Sequence, residues 1–250
     1  MTPGSRAVTV DIHPTPQEVT VAAAERVVAA AAAAIDASGR FAIVLSGGST
    51  PRALYTLLAT PDYGARIDWS RVHVFWSDER CLPPDNAASN YRMARETLLD
   101  AVPLRPAQVH RIHGEDAPAA AAAAYEREID ALFSDGGPSR FDLVLLGMGD
   151  DGHTASLFPG LTAVHETSRR VVGEYVARLA MWRVTLTPPA INAAAAVLFL
   201  VTGSGKAPAL RQVLEGPREP DRWPAQIIAP DAGHVTWLTD LAAAALLDHK

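Results

Sequence analysis

The sequence is short of several residue types and patterns, and each shortage excludes a class of protein. Cys81 is the single cysteine among 250 residues, so no intramolecular disulfide framework can form and a reducing compartment is expected. Acidic residues outnumber basic ones by 28 to 22, and no basic excess indicates nucleic-acid binding. No apolar run reaches the ~18 residues of a membrane span, and residues 1–10 lack the apolar core of a signal peptide. We therefore expect a cytoplasmic protein that binds neither membrane nor nucleic acid.

A covalent nucleophile is also lacking. No serine stands in a G-x-S-x-G nucleophile elbow. Cys81 follows Arg80, which could favour a thiolate, but no partner histidine can be identified from the sequence. A small structural thiol is the simpler interpretation, and covalent catalysis is not predicted.

What the sequence does contain is an alternation of short apolar runs and helical stretches. The runs are rich in β-branched residues and cover residues 8–12, 41–45, 72–76, 141–146, 196–201, 226–229 and 235–238. Several are apolar on both faces, which is typical of strands buried in a parallel sheet. Helices are predicted from the capping box at Thr15 and Glu18 to residue 37, and at 50–58, 90–99, 118–133, 189–195, 206–214 and 240–247. We predict an α/β fold with a Rossmann-like doubly wound, mostly parallel sheet and helices on both faces, in a single domain over residues 1–250.

Polar or glycine-rich loops follow four of the predicted strands. They read SGGSTP after residue 45, SDERCLPPDNAASNY after 76, GMGDDGHTASLFPG after 146 and TGSGK after 201. Ligands of open parallel sheets bind beyond the carboxyl ends of the strands. The four loops are therefore expected to converge on one site.

The first loop is a candidate anion site. Gly47, Gly48, Ser49 and Thr50 join a strand to a helix start, where free backbone N–H groups favour a phosphate. A tight turn with Thr50 as the helix cap is an equally good interpretation.

The last loop supplies a lysine. Lys206 stands at a helix start and is a candidate phosphate cation, with a solvated surface lysine as the alternative. The loop is not a P-loop, because Leu200 and Ala207 replace the glycine and the Ser/Thr that the motif requires.

The loop at residues 147–153 combines a base with two carboxylates. His153 is a candidate general base near neutral pH, and Asp151 can orient its imidazole, although a capping or packing histidine is the more common case. Residues 147–152 formally match G-x-G-x-x-G, but Asp150 and Asp151 would repel a pyrophosphate, so dinucleotide binding is disfavoured. One histidine and two aspartates are too few for a metal site, and no metal is expected.

The second loop adds an arginine held between acids. Arg80 follows Asp78 and Glu79, with Asn86 and Asn90 further on, and such an arginine suits a carboxylate, a phosphate or an oxyanion. A surface ion-pair network is the alternative.

Four segments, taken together, resemble the 6-phosphogluconolactonase family. They read LSGGSTPRALY, WSDERCLPPDNAASNYRMARETLL, LLGMGDDGHTASLFPG and WRVTLTPPAINAAAAVLFLVTGSGKA. The resemblance implies hydrolysis of 6-phospho-D-glucono-1,5-lactone to 6-phosphogluconate in the oxidative pentose phosphate pathway, without a cofactor. It implies His153 as the base that activates water, Asp151 as its orienting carboxylate, and Arg80 as a cation for the oxyanion or the phosphate. The implied substrate and phosphate contacts are Gly47, Gly48, Ser49, Thr50, Asp78, Asn90, Gly149, Arg183 and Lys206.

Two alternatives to a lactonase stay open. Glucosamine-6-phosphate deaminase/isomerase shares the fold, but that family has Ala-Phe-Asn-Glu-Pro after its histidine where this chain has Ala155-Ser156-Leu157-Phe158-Pro159. It also has Asp-Glu-Tyr at the strand end where Arg80 stands here. A non-catalytic sugar-phosphate-binding protein would need only the anion loops, and His153 argues against it. The expected partner is a small sugar-phosphate substrate, and the protein is expected to be a monomer or a weak homo-oligomer.

Overall fold

The computed structural model describes residues 8–134, 139–230 and 232–248 of the chain. The prediction about a signal peptide in residues 1–10 therefore lies largely outside the described residues. Within the described residues, no helix is both long and apolar enough to cross a lipid bilayer.

The described part of the chain contains nine strands and seven α-helices. The strands are β1 (Val8–His13), β2 (Phe41–Leu45), β3 (Val72–Trp76), β4 (Asp78–Arg80), β5 (Leu143–Leu146), β6 (Val171–Val176), β7 (Met181–Leu186), β8 (Ala196–Val201) and β9 (His234–Asp240). The helices are α1 (Pro16–Ser38), α2 (Ser49–Leu58), α3 (Pro61–Gly64), α4 (Asn90–Thr97), α5 (Pro118–Phe133), α6 (Pro188–Asn192) and α7 (Ala207–Glu215).

Six strands form one parallel sheet in the order β1-β9-β8-β5-β2-β3. Every residue of β2 and β5 is buried, as expected for central strands covered on both faces. The prediction of a mostly parallel α/β sheet is confirmed. The chain runs from β2 outward to β3, then returns to β5 and continues through β8 to β9 at the other side. The sheet therefore reverses its winding between β2 and β5, which is where α/β folds of this type open a ligand crevice.

The α1 cap predicted from the sequence is present. Thr15 Oγ1 accepts from the Glu18 N–H at 3.2 Å, and Glu18 Oε2 accepts from the Thr15 N–H at 3.0 Å. Helix α1 ends at Gly39, whose φ of 77° is the left-handed conformation that glycine adopts without strain.

A second, antiparallel sheet in the order β4-β7-β6 was not predicted. Strand β4 consists of three charged residues, so no hydrophobic pattern marks it as a strand. Its pairing with β7 comes from tertiary structure alone. Strands β6 and β7 form a hairpin whose tip is a 3₁₀ turn at Ala177–Leu179.

Two predicted elements are wrong. Residues 226–229 form no strand, because the Asn192 side chain takes the place of the hydrogen bonds to a neighbouring strand. Its amide donates to Ile227 O at 3.0 Å, and its carbonyl oxygen accepts from the Ala229 N–H at 2.8 Å. Residues 240–247 form turns rather than a helix, since β9 continues to Asp240 and the Asp240 carboxylate accepts from the Ala243 N–H at 2.8 Å. The other predicted strands and helices are present, with ends shifted by a few residues at most.

Candidate active site

A cavity of about 390 Å³ opens at the carboxyl edge of the parallel sheet. The loops after β2, β3, β5 and β8 all contribute to its wall, which confirms that the four loops converge. The residues predicted from the sequence that line it are Gly47, Gly48, Ser49, Thr50, Asp78, Arg80, Asn90, Gly149, His153, Arg183 and Lys206. Asp151, the remaining predicted residue, contacts the imidazole of His153 and is not part of the cavity lining.

Two buried tyrosines fix the strand ends beneath the cavity. The Tyr55 hydroxyl on α2 donates to Ser46 O and accepts from the Ser46 N–H, both at 2.8 Å, just beyond β2. The Tyr125 hydroxyl on α5 does the same for Trp76 at the end of β3, at 2.9 and 2.7 Å. Each tyrosine forms hydrogen bonds with backbone groups at the end of a strand, so the start of the loop that follows is held in place.

His153 and Asp151 form a hydrogen-bonded pair. His153 Nδ1 lies 2.5 Å from Asp151 Oδ1, and the same oxygen accepts from the His153 backbone N–H at 3.2 Å. Partial burial acts to raise the pKa of Asp151, but the hydrogen bond and charge of His153, followed by the Arg178 charge, hold it well below its usual range. An ionised carboxylate only accepts hydrogen bonds, so Nδ1 carries the proton and Nε2 of the neutral ring is the basic nitrogen.

The backbone of this loop requires glycine at position 149. Gly149 N–H donates to His153 O at 2.8 Å and Gly152 N–H donates to Gly149 O at 3.0 Å, which closes a tight turn. A Cβ atom at Gly149 would lie 2.0 Å from His153 Nδ1 and 2.6 Å from Asp151 Oδ1. The glycine therefore makes room for the histidine–aspartate pair rather than for a pyrophosphate.

Two arginines lie side by side at the cavity wall. Arg80 on β4 and Arg183 on β7 are direct partners in the antiparallel ladder. Arg183 is buried, and its Nη1 lies 3.6 Å from Asp78 Oδ2, whereas Arg80 donates to Ala88 O. Among the described residues, neither Nε atom has a hydrogen-bond partner. Burial lowers the pKa of Arg183, and the charge of Arg80 lowers it further, whereas the charge of Asp78 raises it. An anion between the two arginines would relieve their repulsion.

The acids beside Arg80 have structural contacts. Glu79 is buried and accepts from the backbone N–H groups of Arg80, Asn90 and Tyr91 at 2.7–2.8 Å, which fixes the start of α4 against β4. Burial raises the pKa of Glu79, against the lowering effect of these N–H groups. Asp78 accepts from the Asn90 amide at 3.1 Å. The sequence alternative of a surface ion-pair network is wrong, since Asp78 and Glu79 are both buried.

The loop after β2 lines the cavity where α2 begins. Gly48, with φ of 117°, precedes the first residue of α2, and no side chain among the described residues caps that helix start. The interpretation of Thr50 as the cap is wrong: Thr50 lies inside α2, and its hydroxyl is 2.8 Å from that of Thr202. Because this contact joins the loops after β2 and β8, the two candidate anion loops form one continuous surface.

Lys206 is not a free cation. Its Nζ lies 2.6 Å from Asp150 Oδ1, and Asp150 is 76% exposed, so the two charges form a solvent-facing pair at the rim. The pair ties the loop after β8 to the loop after β5.

Sequence reasoning named Arg183 on β7 but missed the contribution of the tip of the β6–β7 hairpin. Arg178 and Leu179 at its tip line the cavity, together with Phe158, whose ring centroid lies 4.2 Å from that of His153. Arg178 contacts both Asp151 and Phe158. Only recognition of 171–176 and 181–186 as a hairpin could have placed this tip near the loop after β5.

Cys81 does not have the properties of a nucleophile. Burial raises the pKa of its thiol to about 11, so the thiolate suggested by the neighbouring arginine is disfavoured near neutral pH. Among the described residues, no group of three or more His, Cys, Asp and Glu side chains is arranged to hold a metal ion.

The protein has a Rossmann-like α/β fold, and the carboxyl edge of its sheet carries a histidine–aspartate pair and clustered cations. These groups form an acid–base site suited to an anionic ligand. A family model described as glucosamine-6-phosphate isomerases/6-phosphogluconolactonase matches residues 14–237. The chain therefore belongs to that family, which confirms the resemblance of its motifs.

Individual relatives agree with this assignment. The 6-phosphogluconolactonase of Nostoc sp. is 43% identical over 219 residues, which cover 86% of this chain and 88% of that protein. The 6-phosphogluconolactonase of Haemophilus influenzae is 37% identical over 205 residues, 82% of this chain and 87% of that one. The structure of the 6-phosphogluconolactonase from Trypanosoma cruzi superposes with a TM-score of 0.85 at 31% identity and covers 99% of this chain and all of that one.

Proposed function

We propose that this protein hydrolyses 6-phospho-D-glucono-1,5-lactone to 6-phosphogluconate. The observation that carries the proposal is the His153–Asp151 pair at a cavity that Arg80, Arg183 and Lys206 also line. A general base beside clustered cations suits an uncharged ester bond in a substrate that carries a phosphate. Relatives named 6-phosphogluconolactonase at up to 43% identity support the same reaction.

The chemistry begins with proton transfer. His153 Nε2 takes a proton from a water molecule as its oxygen attacks the lactone C1 carbonyl, and Asp151 stabilises the imidazolium that forms. Arg80 stabilises the oxyanion of the tetrahedral intermediate. When that intermediate collapses, the bond from C1 to the ring oxygen breaks and the imidazolium returns its proton to the departing C5 oxygen. The product is the open-chain acid, which ionises in water.

The phosphate is bound in the same cavity. In this proposal the N–H groups of residues 47–50 and the side chains of Arg183 and Lys206 hold it, because a helix start and two cations complement a dianion. Asp78, Asn90 and Gly149 line the same cavity, and in this proposal they contact the sugar.

Deamination of glucosamine 6-phosphate is a weaker candidate. The lining after His153 is formed by Ala155 and Phe158, with no carboxylate among those two. Asp78, the one carboxylate in the described lining, already accepts from Ser156 Oγ at 2.6 Å. We further propose, on the sequence alone, a cytoplasmic, single-domain protein that works as a monomer or weak homo-oligomer without a cofactor.

The test is proton release from freshly prepared 6-phosphogluconolactone, measured against its spontaneous hydrolysis. Wild type is expected to accelerate the reaction, and His153→Ala to lose ~10²–10⁴-fold of the catalysed rate while still binding 6-phosphogluconate. His165→Ala is the control, because His165 is 62% exposed and its partner Asp221 does not line the cavity. Acceleration by both wild type and His153→Ala would keep the reaction and discard the base. If wild type accelerates nothing, lactonase activity is wrong and glucosamine 6-phosphate is the next substrate to try.

A further inference from the structure

We propose that Arg178 is a positioning residue for the general base, acting on His153 through Asp151. The inference rests on the proposed function and adds to it a residue outside the four sequence segments that resemble the family. Arg178 lies on the β6–β7 hairpin, whereas Asp151 and His153 lie on the loop after β5.

The geometry is a three-member chain. Asp151 Oδ1 is 2.5 Å from His153 Nδ1, and Asp151 Oδ2 is 2.5 Å from Arg178 Nη2. Each carboxylate oxygen therefore has its own partner, and rotation of the carboxylate would break both contacts. The guanidinium also lies over the Phe158 ring, 4.7 Å from its centroid, and that ring packs on His153. Arg178 thus braces both the carboxylate and the aromatic side chain that hold the imidazole.

The hairpin tip is built to present this side chain. Ala180 adopts a left-handed conformation with φ of 47°, and its N–H donates to Ala177 O at 3.0 Å, which closes the turn around Arg178. The strand that follows carries Arg183 into the cavity. One hairpin therefore supplies a cation for the substrate and a cation for the base.

Arg178 differs from the other cavity arginines in how close its carboxylate partner lies: Asp151 Oδ2 is 2.5 Å from Arg178 Nη2, whereas Asp78 Oδ2 is 3.6 Å from Arg183 Nη1. Arg80 and Arg183 keep buried Nε atoms without partners among the described residues, which suits them to an incoming anion. Arg178 instead pairs with an ionised carboxylate. We therefore expect its removal to affect the base more than substrate affinity.

Removal of the Arg178 charge is expected to favour the protonated form of His153. The charged groups that face His153 are Asp151 on its own loop, Arg178 on the hairpin tip and, around the same cavity, Asp78, Arg80, Arg183 and Lys206. Arg178 repels the imidazolium and shares the negative charge of Asp151. Without Arg178, Asp151 would stabilise the imidazolium more strongly, so the ring would hold its proton to a higher pH and be unavailable as a base.

The experiment compares Arg178→Gln, Arg178→Lys, Asp151→Asn and the double variant Asp151→Asn/Arg178→Gln. Arg66→Gln is the matched control, because Arg66 is 42% exposed, pairs with Glu25 at 2.6 Å and precedes β3 at the opposite edge of the sheet. The measurements are kcat and KM for the lactone between pH 5 and 9, and NMR titration of the His153 ring in the free protein.

Arg178→Gln is expected to move the acid limb of kcat upward by roughly 0.5–1 pH unit, which is the size of a charge interaction at ~6 Å in a partly solvated site. On that acid limb, kcat should fall by the same factor as the unprotonated fraction of His153, ~3–10-fold, with KM changed less than about twofold. The NMR midpoint of His153 should move in the same direction. Arg178→Lys should restore most of the shift, and Arg178→Gln should add a smaller shift once Asp151 is Asn, because only the direct repulsion between Arg178 and the imidazolium then remains.

Four results would overturn the inference. They are an unchanged NMR midpoint in Arg178→Gln, an equal shift in Arg66→Gln, a full additional shift in the Asp151→Asn background, or a raised KM with an unchanged pH profile. Since the NMR titration needs no turnover, it tests the inference even if wild type proves inactive on the lactone. Failure of wild-type turnover concerns the proposed function, whereas these four results concern Arg178.

Discussion

Arg80 and Arg183 lie directly opposite each other on β4 and β7, with like charges on neighbouring strands at the wall of one cavity. Such a pair opposes folding unless something negative lies near it. Asp78 lies 3.6 Å from Arg183 and supplies part of that charge. The arrangement leaves both Nε atoms without a partner among the described residues, and an anionic ligand can satisfy them.

We predict different effects when the two arginines are removed singly. Wild-type Tm should rise with 6-phosphogluconate concentration, because a ligand that binds only the folded state stabilises it. Arg183→Gln should lose most of that rise, while Arg80→Gln should keep most of it and lose ~10²-fold or more in kcat, as for removal of one oxyanion contact. Thermal denaturation at several ligand concentrations, together with kcat, separates the roles. Loss of the Tm rise only in Arg80→Gln would reverse the assignment of the two arginines.

Gly149→Ala is expected to abolish most activity without unfolding the protein. The new Cβ would stand 2.0 Å from His153 Nδ1, so the imidazole must leave Asp151. A misplacement of about 1 Å can cost ~10²-fold in rate, and kcat for the lactone is the measurement. Gly64→Ala is the control, because its nearest atom, Leu58 O, lies at an ordinary 3.4 Å. Full activity in Gly149→Ala would contradict the close packing of this loop.

Asp150→Asn is expected to strengthen phosphate binding. Asp150 pairs with Lys206 at 2.6 Å but is 76% exposed, so the pair adds little stability and competes with a bound phosphate for the ammonium. KM for the lactone should fall ~2–5-fold, with the larger change at low ionic strength, where exposed charges are least screened. Asp248→Asn removes an acid that is 61% exposed from an ion pair with Arg211 and controls for net charge. Equal changes in both variants would mean that only net charge matters.

Asp151→Asn should change the pH dependence of stability. The pKa of Asp151 is lowered in the folded protein, so its charge stabilises the fold above its unfolded pKa of ~3.9, and that contribution is lost as pH falls toward the folded value. The difference in unfolding free energy between wild type and variant should be largest near neutral pH and shrink below about pH 4. Urea denaturation at pH 7, 5 and 3 measures it, and a difference that grows on acidification would contradict the ionised pair.

The sequence predicted the parallel sheet and most of its cavity wall for one reason. Central strands buried on both faces carry continuous apolar runs, and each run here is followed at once by polar or glycine residues, as in LVLLGMGDDGH. The spacing of apolar residues and the residue types of turns are local properties of the sequence, so they can be recognised without knowing the fold. His153 and Asp151 are also close in the chain, and their pairing needed only a turn.

The antiparallel sheet could not be predicted in this way. Strand β4 is short and charged, and its partner β7 lies about a hundred residues further along the chain. Residues 226–229 show the opposite error. Their apolar run predicts a strand, but the side chain of Asn192 on α6 makes the hydrogen bonds to the backbone of Ile227 and Ala229.

The sequence by itself determined the parallel α/β sheet, the loop that carries the histidine and the family to which the chain belongs, because these depend on residue patterns within short segments. Tertiary structure alone decided that Arg80 faces Arg183, that Lys206 is paired with Asp150, and that Arg178 reaches Asp151. These are contacts between charged groups from distant segments. A charged side chain looks the same in a sequence whether it is solvated or buried beside another charge, so only the packing of strands and hairpin fixes its role.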